Sequence, residues 1–297
     1  MSPSPMHDRK GLMLGIGAYA LWGVLPLYIH LLRAVPALQL LAHRVLWSLL
    51  LLLGVVLLLG RGRAMLAAAR GKTLLYLLAS TVMIAINWLV YIWAVQNDHV
   101  IEASLGYFIN PLVNVALGMV VLGERLRRLQ GIAIAIAAAG VAIMAASGGA
   151  LWISLSLAVS FGLYGLLRKV VAIDALGGLT METLLLAPLC LFWLVQAQRA
   201  GDAAWGQSLP LNLMLVLAGI VTATPLLMFA AAARRMAYST IGLLQYIAPT
   251  LQFLIAVLVL GEPLHLAHII TFALIWSGCA LYAWDMLRAS RDAGAGI

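Results

Sequence analysis

The sequence predicts an all-α integral membrane protein with ten transmembrane helices arranged as two inverted five-helix repeats. The first of three observations behind this prediction is composition: 64% of the 297 residues are hydrophobic and 9% are charged, whereas ordinary soluble domains carry about 25% charged residues. The second is that the apolar residues fall into ten runs of membrane-spanning length. The third is that a long motif from the first half of the chain recurs in the second half.

Each apolar run is close to the roughly 20 residues that an α-helix needs to cross a bilayer core of about 30 Å. The runs are continuously apolar, and a helix satisfies its own backbone polar groups in lipid, so helices are favoured over a β-barrel. The first run lacks a small-x-small cleavage site, which predicts a retained span rather than a signal peptide. The runs cover residues 11–32, 37–59, 73–96, 101–122, 127–147, 150–171, 179–198, 211–233, 239–260 and 265–287.

Basic residues are distributed unevenly between alternate loops. If the N-terminus is cytoplasmic, 15 of the 18 lysines and arginines lie on the cytoplasmic side, and only Arg33 and Arg199 lie on the other. Because basic residues in short loops set topology, both termini and the loop at residues 60–72 are predicted to be cytoplasmic. The net charge of +8 therefore reflects membrane topology, and no nucleic-acid partner is predicted.

The recurring motif predicts internal duplication. "YFINPLVNVALGMVVLGE" at residues 107–124 returns as "QYIAPTLQFLIAVLVLGE" at residues 245–262, and "AYALWG" at 18–23 parallels "SFGLYG" at 160–165. The predicted repeats are residues 1–147 and 148–297. Each holds five spans, so the second enters the membrane from the opposite side. Inverted repeats with interrupted helices are typical of secondary transporters.

Several segments carry a family resemblance over nearly the whole chain. "HRVLWS", "NWLVYIWAV", "EASLGYFINPLVNVALG", "GERLRRLQ" and "QYIAPTLQFLIAV", together with the ten-span plan, resemble the EamA group of the drug/metabolite transporter superfamily. The resemblance implies a bacterial inner-membrane permease with a central cavity between its halves, in a group associated with export of metabolites or drugs such as chloramphenicol. Short multidrug members of the superfamily use a glutamate in their first span, but residues 11–32 contain no acid.

Polar and aromatic side chains recur on matching helix faces of the two repeats, and Ser80, Asn87 and Tyr91 share one face of the third span. Polar groups in hydrocarbon are costly unless they are paired or hydrated, so this recurrence predicts a cavity that binds a small-molecule substrate. The alternative is a set of interhelical hydrogen bonds that holds the bundle together. The candidate binding residues are Tyr19, Trp22, Asn87, Tyr91, Ser104, Tyr107, Asn110, Asn114, Tyr164, Gln245 and Gln252.

Charged residues and prolines inside the spans supply further candidates. Arg44 and Glu102 are predicted to form either a structural ion pair or a site that carries a proton or receives a substrate carboxylate. Glu182 aligns with Arg44 at a shift of 138 residues. Pro111 and Pro249 are predicted hinges, because proline removes a helical hydrogen bond and crowds the carbonyl four residues earlier.

Other function classes lack the residues that they need. Glu262, His265 and His268 match metal-ligand spacing only loosely, so no metal or cofactor is predicted. An intramembrane enzyme would require a nucleophile with a base, paired carboxylates or a zinc signature, and no such set occurs at matching depths. A receptor or scaffold is the remaining alternative to a secondary transporter in the lipid bilayer. The oligomeric state is left open.

Overall fold

The computed structural model of the protein describes residues 9–122, 127–147, 150–233, 235–236, 240–241 and 244–294, with backbone alone at residue 122 and at residues 286–294. The Gly-Glu pair at positions 123 and 124 lies outside these residues. Helices dominate the described chain, and no strand occurs in it. The helices are α1 (Arg9–Leu31), α2 (Ala37–Leu58), α3 (Gly62–Ala68), α4 (Lys72–Gln96), α5 (Val100–Leu122), α6 (Arg128–Ala146), α7 (Leu151–Val170), α8 (Ala175–Ala200), α9 (Leu209–Ala233), α10 (Ile247–Leu258) and α11 (Leu266–Gly294).

Nine helices in the described residues are long and apolar enough to cross a membrane. These nine match nine of the ten predicted spans and confirm an all-helical, multi-pass membrane protein. The ninth predicted span differs, because α10 contains only 12 residues and follows a turn at Gln245 and Tyr246. Pro249 lies in the first turn of α10, where a missing N–H is tolerated. By contrast, α5 runs continuously through Pro111.

Eight helices form a closed ring of contacts in the order α5, α7, α4, α8, α2, α9, α1 and α10, with α10 returning to α5. Each pair of neighbours in this ring consists of one helix that precedes residue 147 and one helix that follows residue 150. The remaining long helices, α6 and α11, pack mainly against each other. This arrangement surrounds an interior with eight helices.

Glycines allow several of these helices to approach closely. A Cβ atom at Gly219 in α9 would lie 2.5 Å from the carbonyl carbon of Trp47 in α2. A Cβ at Gly106 in α5 would lie 2.7 Å from the carbonyl oxygen of Ser154 in α7. Both distances are shorter than any ordinary contact, so these positions exclude larger side chains. Small residues serve the same purpose at many helix interfaces in membranes.

The bundle has two chemically different ends. At one end, here called the basic end, Arg61 pairs with Asp174 at 2.8 Å and Arg127 pairs with Asp285 at 2.9 Å. At the opposite end, Gln39 of α2 donates a hydrogen bond to the carbonyl of Asp202 in the α8–α9 connection at 2.8 Å. Long-range contacts therefore join the two parts of the chain at both ends of the bundle.

Candidate functional site

The face of α4 that bears Ser80, Asn87 and Tyr91 packs among ring helices and organises the buried polar groups. All three residues are at least 97% buried. Ser80 contacts a glutamate near the basic end, Asn87 contacts α5 and α7, and Tyr91 lies nearer the opposite end. The predicted polar face of the third span therefore passes through two buried charged clusters and the polar contacts between them.

The arginine cluster consists of Arg44, Trp88, Tyr91 and Thr222. Arg44 is 3% exposed, and its Nε donates a hydrogen bond to Thr222 Oγ1 of α9 at 3.1 Å. Its guanidinium carbon lies 5.6 Å from the centre of the Trp88 ring. One terminal nitrogen of Arg44 and the hydroxyl of Tyr91 are buried without a hydrogen-bond partner. A positive charge is thus held among aromatic side chains.

The glutamate cluster consists of Ser80, Tyr164, Arg168 and Glu182. Ser80 and Tyr164 donate hydrogen bonds to the two carboxylate oxygens of Glu182, at 2.6 Å and 3.2 Å. The guanidinium of Arg168 lies 3.8 Å from the same carboxylate. Glu182 is 1% exposed. This acidic side chain is therefore buried but surrounded by donors.

The two clusters lie at equal depths from opposite ends of the bundle. Arg44 and Glu182 each lie seven residues after the first residue of their helices, about 10 Å along the axis. Between the clusters, Tyr107 donates a hydrogen bond to Asn87 Oδ1, and Asn87 Nδ2 donates to Ser160, both at 3.1 Å. The polar interior is therefore continuous from α4 into α5 and α7.

A second group of predicted binding residues joins α1, α5 and α10. Tyr19 and Trp22 form an aromatic group with Phe229 of α9, with ring centres 5.4 to 6.0 Å apart. Gln252 donates a hydrogen bond to the Trp22 carbonyl at 3.1 Å. Ser104 donates to the carbonyl of Pro249 at 3.0 Å. The last of these contacts joins α5 to α10, the two helices that carry the duplicated prolines.

The remaining predicted binding residues have different environments. Asn110 is 5% exposed, and its side-chain oxygen has no hydrogen-bond partner. Asn114 is exposed, and Gln245 is half-buried in the turn before α10. Asn110 thus has a buried acceptor without a partner, whereas Asn114 lies outside the buried polar groups.

Arg44 and Glu102 do not form an ion pair in the described structure. Glu102 lies in the first turn of α5, where its carboxylate is 3.5 Å from His99 Nδ1 and 4.0 Å from His268 Nε2. Arg44 instead contacts α9 through Thr222. The predicted pair is wrong because the two side chains find partners on different helices, and this leaves Arg44 without a carboxylate.

Glu262 has a role that its sequence position did not predict. Its two carboxylate oxygens accept hydrogen bonds from the backbone N–H groups of Val100 and Ile101, at 2.7 Å and 2.8 Å. These N–H groups belong to the first turn of α5, which has no intrahelical acceptors for them. Glu262 therefore caps α5 from the connection between α10 and α11.

We expect this cap to give a measurable pH dependence. Burial raises the pKa of Glu262 above its ordinary value of 4.5, and the two N–H groups only partly oppose the increase. A carboxyl group whose pKa is higher in the folded than in the unfolded protein stabilises the fold while it is protonated. This stability is complete at pH values below the pKa of the unfolded protein and is lost as the pH rises through the pKa of the folded protein. The Tm of the wild type minus that of Glu262→Gln should therefore increase when pH falls from about 7 to about 5. A difference that shrinks on acidification would contradict this assignment.

A cavity of about 1100 Å³ opens at the opposite end of the bundle. Three tryptophans, Trp93, Trp152 and Trp193, contribute to its walls. None of the predicted binding residues lines it. Leu89 and Val90 line the cavity, whereas the adjacent Trp88 and Tyr91 belong to the arginine cluster. The cavity and the arginine cluster therefore border the same stretch of α4.

Comparisons with known proteins agree with this architecture. The EamA-like transporter family model matches residues 9–146. An uncharacterized transporter of Pseudomonas aeruginosa is 47% identical over 292 residues, which cover 95% of this chain and 96% of the relative. The chain belongs to the EamA-like transporter family. Protein RarD of Escherichia coli is 43% identical over 288 residues, which cover 96% of this chain and 97% of the relative.

A solved crystal structure supports the same fold. It superimposes on this EamA-like chain with a TM-score of 0.59 at 21% identity, and the match covers 92% of this chain and 96% of the other. Family membership and the apolar helices together make the protein a multi-pass membrane transporter. They point to transport rather than enzymatic catalysis.

Proposed function

We propose that this EamA-like protein is a secondary transporter that exports a small organic solute across the bacterial inner membrane by alternating access. The observation that carries the proposal is the closed ring of eight helices around two charged clusters at equal depths from opposite ends. Such an interior offers polar groups to a solute approaching from either side. Many exposed apolar side chains, including Leu58 and Val120 at 88% and 84% exposure, suit an exterior in lipid.

Two inverted repeats, residues 1–147 and 148–297, account for the order of the ring. If every helix of the ring is replaced by the helix that corresponds to it in the other predicted repeat, the same ring results in reverse order. Helices that were neighbours before the exchange are neighbours after it. The exterior pair of α6 and α11 is also preserved. This behaviour is expected of two related units that face each other in opposite orientations. The counterparts are α5 with α10, α7 with α1, α4 with α9, and α8 with α2.

Alternating access would involve α5 and α10, the two helices that carry the duplicated prolines. They contact each other, and the bond from Ser104 to the carbonyl of Pro249 links them directly. Glu262 joins the start of α5 to the end of the α10 segment at the opposite end. Opening that end would break the cap. The proposed hinges of this movement are Pro111 and Pro249, the prolines of the two helices.

Orientation can be tested independently of any solute. We propose that the basic end and both termini are cytoplasmic, because short basic loops are retained there. In a chain with Cys190 and Cys279 replaced by alanine, Leu66→Cys should be protected from an impermeant thiol reagent added to intact cells, and Gln207→Cys should be labelled. Both positions are exposed. The reverse pattern would overturn the orientation.

The proposed interior predicts which residues affect transport. Tyr107→Ala, Asn110→Ala and Gln245→Ala should each reduce solute counterflow in proteoliposomes by about tenfold, if each removes a direct polar contact of roughly 1.5 kcal/mol. The assay would screen labelled organic acids, amines and neutral aromatic solutes. Leu213→Ala is the matched control because Leu213 is 61% exposed on α9. Full counterflow in all three variants would remove these residues from the path.

A further inference from the structure

The buried charges of the ring interior are not equivalent in their contacts. Glu182 receives hydrogen bonds from Ser80 and Tyr164 and lies near Arg168. Arg44 contacts one neutral hydroxyl, and within the described residues no carboxylate lies within 4 Å of it. The interior therefore contains a carboxyl group that accepts two hydrogen bonds and a guanidinium that lacks a carboxylate partner.

A guanidinium in this position is costly without a partner. Removing an ion from water costs several kcal/mol even after relaxation, and an opposite charge is the usual compensation. Arg44 has 3% exposure and an unpartnered terminal nitrogen. Ionisable groups within membrane spans are commonly part of ligand or ion pathways. The unpartnered nitrogen is thus a donor that an incoming anion would satisfy.

A second unpartnered donor lies in the same cluster. The Tyr91 hydroxyl is buried without a hydrogen-bond partner, and Tyr91 lies three residues after Trp88, whose ring centre is 5.6 Å from the guanidinium carbon of Arg44. The hydroxyls of Tyr28 and Tyr107 already donate to the Met214 carbonyl and to Asn87. Arg44 and Tyr91 are therefore the pair with free capacity, and a carboxylate has two oxygens to accept from them.

Aromatic rings provide apolar surfaces beside these donors. The centres of the Tyr91 and Tyr107 rings are 5.7 Å apart, and the centre of the Phe161 ring lies 6.0 Å from that of Tyr107. Trp88 covers one side of the guanidinium. Such rings favour a flat apolar body by stacking and edge contacts. An amine would meet the unbalanced charge of Arg44 and would be repelled.

We propose that Arg44 and Tyr91 form an anion-binding subsite and that the transported solute is an organic acid with a carboxylate attached to a flat apolar body. This inference rests on the proposed transport function and specifies its substrate class. The carboxylate accepts hydrogen bonds from the Arg44 guanidinium and the Tyr91 hydroxyl, and the apolar body lies against the neighbouring aromatic rings.

Binding to the purified full-length protein tests the subsite directly. Benzoate, phenylacetate and indole-3-acetate are compared with their uncharged amides and with benzylamine, using tryptophan fluorescence and thermal shift. We expect at least one carboxylate to bind at least about tenfold more tightly than its amide, because hydrogen bonds to charged groups contribute that much. Carboxylates that bind no more tightly than their amides, or that fail to bind, would overturn the proposal, as would tighter binding of benzylamine.

Variants connect the binding preference to these two side chains. Arg44→Gln should weaken carboxylate binding by at least about tenfold while leaving amide binding unchanged, and Tyr91→Phe should weaken it by about fivefold. Arg33→Gln is the matched control, because Arg33 is exposed near the same end. Unchanged carboxylate binding in Arg44→Gln would contradict the subsite. If that variant does not fold, Tyr91→Phe and the wild-type preference still decide the question.

Transport of the same probes separates this inference from the transporter proposal. A carboxylate that binds through Arg44 but does not cross proteoliposome membranes would contradict transport and support the subsite. Counterflow of an amine or a neutral solute, with no carboxylate binding, would support transport and contradict the subsite. Counterflow of a carboxylate that is lost in Arg44→Gln would support both.

Discussion

Gly219→Ala is expected to destabilise the protein strongly, with a decrease in Tm of about 5 °C. The added methyl carbon would lie 2.5 Å from the Trp47 carbonyl carbon and 2.8 Å from its oxygen. These are backbone atoms of α2, so α2 and α9 would have to separate rather than exchange a side-chain rotamer. Overpacking of this kind costs about 1 to 3 kcal/mol, which corresponds to a few degrees for a chain of this size.

Gly54→Ala is the matched control for this prediction. Gly54 lies in α2, and no heavy atom is within 4 Å of the position that a Cβ would occupy. Both variants replace a glycine by an alanine within a helix, so both gain the same helix propensity, which favours alanine by up to about 1 kcal/mol. The difference in Tm between the two variants therefore isolates the contact between α2 and α9. Equal Tm values would show that the helices do not approach this closely.

Glu182→Ala is expected to have the second large effect. It would remove the acceptor for Ser80 and Tyr164 and leave Arg168 without its buried partner. Breaking a buried charge pair costs about 3 to 5 kcal/mol. The partly exposed position of Arg168, at 15%, reduces the expected loss to roughly 2 to 3 kcal/mol because solvent screens the pair.

Glu182→Gln provides the comparison that separates charge from hydrogen bonding. Glutamine still accepts from one hydroxyl and donates to the other, since serine and tyrosine hydroxyls can reverse their roles. We therefore expect Glu182→Gln to retain a higher Tm than Glu182→Ala when both are measured in the same detergent. If both variants match the wild type, the glutamate cluster does not stabilise the fold.

The spans and one polar face were predictable from sequence because they depend on local periodicity. Apolar runs of membrane length identify helices directly, and Ser80, Asn87 and Tyr91 share a face of α4 because positions three to four residues apart lie on the same side. The structure places all three among buried interhelical contacts. The binding role proposed for this face remains a prediction.

Partners distant in sequence were not predictable in the same way. Glu262 lies 162 residues after Val100, which it caps, and Thr222 lies 178 residues after Arg44, from which it accepts a hydrogen bond. A threonine or an interfacial glutamate carries no local signal of such a partner, because the contact exists only after the helices have packed. The expected Arg44–Glu102 pair does not form because Arg44 contacts Thr222 of α9, whereas Glu102 lies beside His99 and His268.

The duplicated proline motif shows that similar sequences do not dictate identical local structure. Pro111 lies inside continuous α5, whereas Pro249 lies in the first turn of α10 after a turn at residues 245 and 246. Proline is compatible with either arrangement, at an energetic cost in a helix interior and at little cost in a first turn. Tertiary contacts therefore decide between them.

The most direct test of alternating access is the reactivity of residue 160 from each side of the membrane. Ser160 lies between the two charged clusters and is 5% exposed. In a chain with Cys190 and Cys279 replaced by alanine, Ser160→Cys would be treated with an impermeant thiol reagent in right-side-out and in inside-out vesicles. Alternating access predicts labelling in both preparations, because the ring interior opens to each side in turn. Labelling from one side alone, or from neither, would contradict it.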